Sequence, residues 1–397
     1  MDAFFRTHKY LVDHVESPVK RLLMSEIDWN HRLIGIKGSR GVGKTTFLLQ
    51  YAKENFNTED KTCLYINLNN FYFTNRSLRG FADEFRKSGG KTLLIDQVFK
   101  YPDWSKELRY CYDNFQDLHI VFSGSSVMRL KDDNPDLAGC VHSYNLRGFS
   151  FREFLNLMTG NNFKAYTLEE ILTNHKAIAE EITNKLKPLA YFQDYLHHGY
   201  YPIFLEHTNF SENLLKIMNM IVEVDILLLK QMELKYLPKI RKLFYLLASC
   251  SICTPCAPNV SQLSVDIETS RATVMNYIKY LKDARLLNWL YSEEDNFPKK
   301  PEKLFLQNTN QMYAIWPNNN ISRKALCETF FVNNMVRDKK VHSGTHDDEF
   351  LIDNQYLFTV VAKDEKKKNN TKAYQAMDMM DIGSEKMIPL WLFGFLY

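Results

Sequence analysis

No apolar stretch in this sequence is long enough to cross a bilayer. The most apolar segment, residues 388–397, falls well short of the roughly 20 residues that a membrane-spanning helix needs, so we interpret it as a buried last strand. Residues 1–6 contain no long apolar run and do not look like a signal peptide. We therefore expect a cytoplasmic protein without a membrane partner.

Cysteine is also scarce and unevenly spaced, with seven in 397 residues. This pattern does not suit a secreted disulfide framework and favours a reducing compartment. Cys250, Cys253 and Cys256 stand three apart, but no fourth Cys or His lies near them. Because a closed zinc site needs four ligands, we do not expect a metal there.

An excess of one charge is absent too. The net charge is +3, which by itself does not indicate nucleic-acid binding, so any basic surface has to be local. Low-complexity segments and internal repeats are missing as well. A chain of 397 residues is too long for one core and predicts two or three domains.

What the sequence does contain is a glycine-rich phosphate loop of the form G-x-x-x-x-G-K-T. An apolar run, residues 33–36, precedes it and predicts a strand, and a helix is predicted to start just after it. Glycines let the backbone wrap an anion, and the helix N-terminus favours negative charge. We expect ATP or ADP to be held here by Gly38, Ser39, Arg40, Gly41, Val42, Gly43, Lys44, Thr45 and Thr46.

Within this loop, two residues have specific expected roles. Lys44 reaches the β- and γ-phosphates, and the Thr45 hydroxyl ligates Mg²⁺. Residues 91–96 form a second apolar run that ends in Asp96. A central strand of this kind delivers a carboxylate to the Mg²⁺ shell, so Thr45 and Asp96 are the predicted metal residues.

The predicted catalytic residues are Gln97, Ser123 and Ser125. Gln97 follows Asp96 directly, where it can orient a water molecule but cannot accept its proton. Ser123 and Ser125 end the next predicted strand, residues 119–126, and are candidates to sense the γ-phosphate. Turn chemistry explains these serines nearly as well.

Taken together, these stretches resemble a group of bacterial and archaeal AAA-type ATPases. The matching segments include the phosphate loop and residues 95–105, 122–126, 149–154, 199–206, 308–314 and 388–394. The resemblance implies an α/β P-loop NTPase with a parallel AAA-like sheet, followed by a helical lid, a winged helix and an α+β C-terminal domain. It further implies ATP with Mg²⁺ as cofactors and allows a homo-oligomer.

The chain departs from that family at three positions. Gln97 stands where the family has Glu, and Cys140 where it has an arginine that acts as a finger or sensor. Each of those groups contributes several orders of magnitude in rate, so we expect weakened hydrolysis. There are two alternatives. Gln97 can still orient the water well enough, and Arg147 or Arg152 can replace the lost arginine. The third departure, Thr359, stands where a nuclease-like domain carries an acid.

By this reading the domains are 1–150 (P-loop ATPase), 151–240 (helical lid), 241–310 (winged helix) and 311–397 (degenerate nuclease-like). The lid is predicted to be all helical, with a helix start at Thr167-Leu168-Glu169-Glu170. In the winged helix, Ser261 is predicted to cap a short helix and Thr269 or Ser270 a second. The outward residues Arg271, Asn276, Lys279 and Lys282 are candidates for nucleic-acid contact. Contact with a protein or packing within the chain is an equal alternative for this surface.

The last domain carries remnants of the nuclease-like core that the resemblance implies. These are Glu328, Glu349 and Lys363, and Asp347 and Asp348 begin the predicted strand of residues 347–353. With Thr359 replacing a ligand, a metal would be held weakly, and we expect no cleavage. The lysine run in residues 366–370 is most simply a solvated loop.

Three functions fit these observations. The first is a nucleotide-dependent switch with weakened turnover that acts on a partner. The second is an active ATPase that remodels DNA or protein. The third is a DNA-binding protein in which the nucleotide is structural.

Overall fold

The computed structural model describes residues 1–128, 130, 134–206, 208–227, 230–251, 255, 257–316, 321–346, 349–363, 365 and 372–397. The chain separates after Arg147 into two units, Met1–Arg147 and Gly148–Tyr397, which are described one at a time. This division lies close to the boundary predicted after residue 150. The further boundaries at 240 and 310 stay predictions.

A parallel sheet forms the centre of the first unit, in the strand order β2-β3-β4-β1-β5. Every pair of neighbouring strands is parallel, as the AAA-like fold predicts. The central strands are buried on both faces, as is typical of parallel sheets: every residue of β3 is buried, whereas no residue of the edge strand β5 is. The strands are β1 (Leu33–Gly38), β2 (Cys63–Asn67), β3 (Thr92–Asp96), β4 (His119–Ser125) and β5 (His142–Asn145).

Among the described residues, two helices precede β1 and three more connect β1 to β4 in turn, with short 3₁₀ turns at Phe71–Thr74 and Val98–Lys100. The Ser77 side chain accepts from the Gly80 N–H and caps the fourth helix. The helices are α1 (Asp2–His14), α2 (Leu23–Glu26), α3 (Lys44–Asn55), α4 (Leu78–Lys87) and α5 (Trp104–Asn114).

The first 30 residues are helical only in part. The chain leaves α1 at Val15, whose backbone is extended, and helix resumes only over the single turn of α2. Pro18 keeps the helix from continuing past this point, because proline has no N–H to donate to the His14 carbonyl four residues before it, and its ring would clash with that carbonyl.

The second unit begins with helices, and two of them start with a reciprocal capping box. Ser150 pairs with Glu153 in this way, and Thr167 pairs with Glu170, which confirms the helix start predicted there. The helices are α6 (Phe151–Thr159), α7 (Leu168–Thr183), α8 (Pro188–Asp194), α9 (Phe210–Met220), α10 (Leu237–Ser251), α11 (Val260–Asp266), α12 (Arg271–Asp283), α13 (Thr309–Ile315) and α14 (Arg323–Met335). Shorter π and 3₁₀ segments lie at Tyr195–Gly199, Pro202–Glu206, Ile221–Ile226 and Leu234–Tyr236.

Two sheets complete this unit. An antiparallel pair joins β6 (Leu287–Leu290) to β7 (Lys303–Leu306). A mixed sheet has the order β12-β11-β10-β9-β8, antiparallel from β8 to β10 and parallel from β10 to β12. Its strands are β8 (Val341–Ser343), β9 (Glu349–Ile352), β10 (Tyr356–Val361), β11 (Tyr374–Met377) and β12 (Met387–Pro389).

One hydrophobic core joins the first helices of this unit to its last strands. Phe151 and Phe192 pack in the same cluster as Phe330, Trp391 and Phe395, and the Phe192 and Phe330 rings meet edge to face at 5.0 Å. The predicted lid and the predicted C-terminal domain therefore share buried apolar surface.

The final segment differs from its prediction as a strand. Only Met387–Pro389 is extended, and Leu390–Phe395 forms a 3₁₀ helix. Pro389 lacks the N–H that would continue the ladder, so the chain turns there. The segment is nevertheless buried as predicted, with Trp391 inside the core.

The two helices predicted for the winged helix are present as α11 and α12, and the β6–β7 pair follows them. Ser270 caps α12 as predicted. The predicted cap at Ser261 is wrong, because the Asn259 side chain accepts from the Gln262 N–H and α11 begins at Val260. The winged-helix assignment itself stays a prediction.

No helix that the structure describes combines the length and apolarity needed to span a bilayer.

A buried histidine holds the outermost strand of the first sheet. β2 has one neighbouring strand, and the backbone N–H of Tyr65 donates to His8 Nδ1 at 3.0 Å. Burial lowers the pKa of His8, partly opposed by the charge of Asp13. Nδ1 must be unprotonated to accept this bond, so α1 and β2 are joined through the neutral imidazole.

We predict that this bond makes the first unit sensitive to acid. A histidine whose folded pKa is depressed gives its full stabilisation above its ordinary pKa, and this is lost as the pH falls through the folded value. Acidification from about pH 7.5 to about pH 5.5 should cost about 1 kcal/mol from this bond. Melting temperatures of the wild type and His8→Gln measure it, since the glutamine oxygen accepts at every pH. Equal losses in both proteins would contradict the assignment.

Candidate nucleotide site

The phosphate loop connects β1 to α3, as predicted. Gly41 and Gly43 have φ values of 79° and 90°, the left-handed region that glycine enters without strain. A Cβ on Gly38 would lie 2.3 Å from the Leu146 carbonyl oxygen, so backbone passes where a side chain would stand. The loop therefore needs glycine at these positions, and Gly43 leads directly into the first turn of α3.

Lys44 folds back over this loop. Its Nζ donates to the carbonyl oxygens of Gly38 at 2.9 Å and Ser39 at 2.8 Å. The ammonium group thus lies over the concave side of the loop, at the N-terminus of α3, where helix dipole and lysine both favour an anion. Among the described residues, the buried Ser39 Oγ has no hydrogen-bond partner.

Arg21 braces the loop from outside. Its guanidinium donates to the carbonyl oxygens of Val42 at 3.1 Å and Arg147 at 2.6 Å, and the side chain is buried, with 7% of the residue exposed. One arginine therefore joins the phosphate loop to the segment that follows β5, and the charge makes both hydrogen bonds strong.

Asp96 lies at the end of β3, beside the start of α3, and only 1% of it is exposed. Its Oδ2 accepts from the Thr45 hydroxyl at 2.6 Å and from the Tyr65 hydroxyl at 2.9 Å. Its Oδ1 accepts from the Ser123 hydroxyl and from the Gln97 N–H. The predicted pair of metal residues, Thr45 and Asp96, is thus brought into direct contact.

The predicted catalytic residues occupy different positions around Asp96. Ser123 holds the carboxylate itself. Gln97 has a left-handed backbone, with φ of 54°, and its N–H also approaches the Ser123 Oγ at 3.4 Å. Ser125 Oγ accepts from the Val127 N–H at 3.4 Å, which is the turn chemistry considered as the alternative. Their catalytic roles stay predictions.

The remaining loop residues are also placed. The Arg40 guanidinium lies over the Phe99 ring, 5.9 Å from its centroid. Val42 is buried, while Thr46 is half-buried in the first turn of α3.

Cys140 is buried in a turn before β5. Its thiol donates to the Leu137 carbonyl oxygen at 3.2 Å, and burial raises the pKa of the thiol. This side chain is therefore neutral and cannot replace a cationic arginine. Of the two possible substitutes, Arg152 donates to the carbonyl oxygens of Tyr397 and Phe163 within the second unit.

These residues suit a nucleoside triphosphate with Mg²⁺. The glycine backbone leaves a cradle that a Cβ would fill at Gly38, and Lys44 lies across it. Thr45 and Asp96 supply the hydroxyl and carboxylate oxygens that Mg²⁺ takes in sites completed by phosphate and water. Outside this pair, the described residues contain no cluster of three or more His, Cys, Asp or Glu side chains fit to hold a metal.

The predicted nucleic-acid contacts lie on α12. Arg271 and Asn276 are exposed. Lys279 pairs with Asp283 at 3.4 Å, and Lys282 lies over the Trp289 ring at 5.3 Å, where burial lowers its pKa. These two lysines are thus engaged within the chain, and contact with nucleic acid stays a prediction for all four residues.

The nuclease-like remnants lie in the mixed sheet and on α14. Thr359 on β10 is in register with Glu349 on β9, and its buried Oγ1 has no partner among the described residues. Glu328 on α14 is buried beside Lys324 at 3.6 Å, whereas Lys363 is exposed. Asp347, Asp348, Cys253, Cys256 and residues 366–370 lie outside the described residues.

Residues 30–155, which contain the strands and loops of this site, match the family described as AAA domain. This match and the parallel sheet of the first unit support an AAA-type P-loop domain. Residues 189–309 match a family described as a domain of unknown function (DUF8612), a range that crosses the boundary predicted at 240.

Comparison of whole proteins adds little to the AAA-type assignment. Among proteins of curated function, none matches this chain. The solved structure of C. elegans PCH-2 is similar at 16% sequence identity over 39% of this chain and 44% of that chain, with a TM-score of 0.23. The chain thus spans less than half of PCH-2, and so low a TM-score supports no argument.

Two residues of the AAA-type site were missed by sequence reasoning. Asn67 on β2 is in register with Asp96 on β3. Tyr65 lies two positions before Asn67, so the side chains of Tyr65 and Asn67 lie on the same face of the sheet as that of Asp96. That signal becomes visible only once β2 is known to lie beside β3. Arg21 lies between α1 and α2, and nothing local in the sequence marks it.

We predict that Arg21→Ala weakens ATP binding to the AAA-type domain at least about tenfold. The change leaves two buried carbonyl groups without their charged donor, at about 1.5–3 kcal/mol for each bond, and frees the phosphate loop to relax. Isothermal titration calorimetry with ATP and MgCl₂ measures the loss. Arg32→Ala is the matched control, because Arg32 also donates to two carbonyl oxygens, of Tyr112 and Phe115. Equal ATP affinity in the two variants would contradict the brace.

Proposed function

We propose that this protein is a nucleotide-dependent switch that binds ATP with Mg²⁺ and hydrolyses it slowly. The observation that carries this proposal is the contact between Thr45 and Asp96 at 2.6 Å, beside Lys44 in the AAA-type domain. Lysine, hydroxyl and carboxylate converge on one point at the start of α3, as P-loop chemistry requires.

Slow turnover is inferred from the groups around that point. Next to Asp96 stands an amide, Gln97, which orients water but accepts no proton, so general-base catalysis worth about 10²–10⁴ in rate is missing. Cys140 is a neutral, buried thiol where the family resemblance expects an arginine, a group worth about 10³–10⁵. Binding without efficient turnover gives long-lived nucleotide states, which suit a switch.

The first alternative is an active remodelling ATPase, whose fast hydrolysis would depend on Arg147 or on an arginine from a second copy of the chain. The second alternative is a protein that binds DNA through α12, where Arg271 and Asn276 offer exposed groups. We also propose that the protein acts on a protein partner, forms a homo-oligomer and is located in the cytoplasm.

We predict that Gln97→Glu raises steady-state ATP turnover by about tenfold or more, because a carboxylate can take the proton of the attacking water. Phosphate release under multiple turnover measures the rate, and Gln97→Asn, which keeps an amide, should show no rise. Cys140→Arg is the companion variant, with Cys140→Ala as its control. The melting temperature of Cys140→Arg shows whether this variant still folds, since an arginine overfills a buried position.

Two results would contradict the proposal. One is wild-type turnover within tenfold of an ordinary enzyme, for which about 10 s⁻¹ is typical. The other is a Gln97→Glu variant that binds ATP but turns over no faster. The switch itself requires that ATP with MgCl₂ change hydrogen exchange within residues 148–397, and unchanged exchange there would argue against it.

A further inference from the structure

Every hydrogen-bonding position of the Asp96 carboxylate is taken by the chain's own donors. An ionised carboxylate offers about four lone-pair sites. Thr45 and Tyr65 occupy the two on Oδ2, and Ser123 and the Gln97 N–H occupy the two on Oδ1. To serve a magnesium shell, Asp96 has to release one of these four donors.

Three of the four donors are poorly suited to leave. The Gln97 N–H is fixed in the backbone directly after Asp96, and moving it would move the end of β3. Ser123 is fully buried on β4, and its hydroxyl lies very close to Oδ1. Thr45 is expected to bind the metal through its hydroxyl oxygen, which leaves the hydroxyl hydrogen free to stay on Asp96.

Tyr65 is the fourth donor and comes from a strand that contributes nothing else assigned to the site. The side chain is buried, with 5% of the residue exposed, so its ring is held by packing while its hydroxyl reaches Oδ2 at 2.9 Å. A tyrosine hydroxyl is both donor and acceptor, and here it donates to the carboxylate.

We propose that Tyr65 is a positioning residue that sets the magnesium requirement of the site by competing for Oδ2 of Asp96. In its resting arrangement the tyrosine hydroxyl satisfies a carboxylate that would otherwise be buried with an unmet acceptor, which is costly. When Mg²⁺ accompanies the nucleotide, the hydroxyl gives up that position. This inference rests on the proposed nucleotide-binding function.

The test compares wild type with Tyr65→Phe, which removes the hydroxyl and keeps the ring. ATP affinity is measured by isothermal titration calorimetry in EDTA and over a series of MgCl₂ concentrations. We expect unchanged ATP affinity in EDTA and a MgCl₂ half-point about fivefold lower in the variant, since one competing hydrogen bond of about 1 kcal/mol is gone. A purely structural role would change ATP affinity in both buffers alike.

Tyr72→Phe is the matched control, because the Tyr72 ring packs against Phe4 at 4.9 Å and its hydroxyl is not one of the four donors to Asp96. Melting curves in EDTA check folding, and Tyr65→Leu replaces Tyr65→Phe if the latter does not fold. An unchanged or higher MgCl₂ half-point in the Tyr65 variant overturns the proposal. A higher half-point would mean that the Tyr65 hydroxyl supports magnesium binding and does not compete with it. If the wild type binds no ATP in either buffer, the proposed function fails. The wild-type measurement alone therefore separates that failure from a failure of the Tyr65 proposal.

Discussion

The carboxylate of Asp96 is buried at the end of a central strand, and the rest of the AAA-type site is arranged to satisfy it. A buried charge without partners would be several kcal/mol too costly to keep. Here donors arrive from α3, β2, β4 and the residue after β3, so the carboxylate fixes the positions of four elements at one edge of the sheet. The same convergence brings Thr45 and Lys44 to the point where a phosphate and its metal would lie.

The second constraint is the close approach of backbone around the phosphate loop. Gly38 has no room for a side chain beside Leu146, and Arg21 bonds both the loop and Arg147. The conformation of the loop is therefore tied to the segment that ends the first unit. A nucleotide that rearranged the loop would therefore act on that segment of the same unit.

Local patterns made much of this architecture predictable. The apolar run before Gly38 and the run ending at Asp96 predicted β1 and β3, and Thr167 with Glu170 predicted a helix start. What could not be read locally depends on contacts distant in sequence. Tyr65 comes close to Asp96 only because β2 lies beside β3. Phe151 packs near Phe395, although the predicted boundaries at residues 240 and 310 lie between them. The last segment was mistaken for a strand because its apolar composition outweighed the effect of Pro389.

The central claim is that a nucleoside triphosphate binds in the loop between β1 and α3. Calorimetry of ATP binding to Lys44→Ala tests it most directly, with Lys53→Ala as control, since Lys53 lies on the same helix and donates to carbonyl groups of Asp13 and Val15. We predict that Lys44→Ala loses at least about tenfold in affinity, because its ammonium lies over the anion cradle, and that Lys53→Ala binds as wild type does. Undiminished ATP affinity in Lys44→Ala would contradict the account.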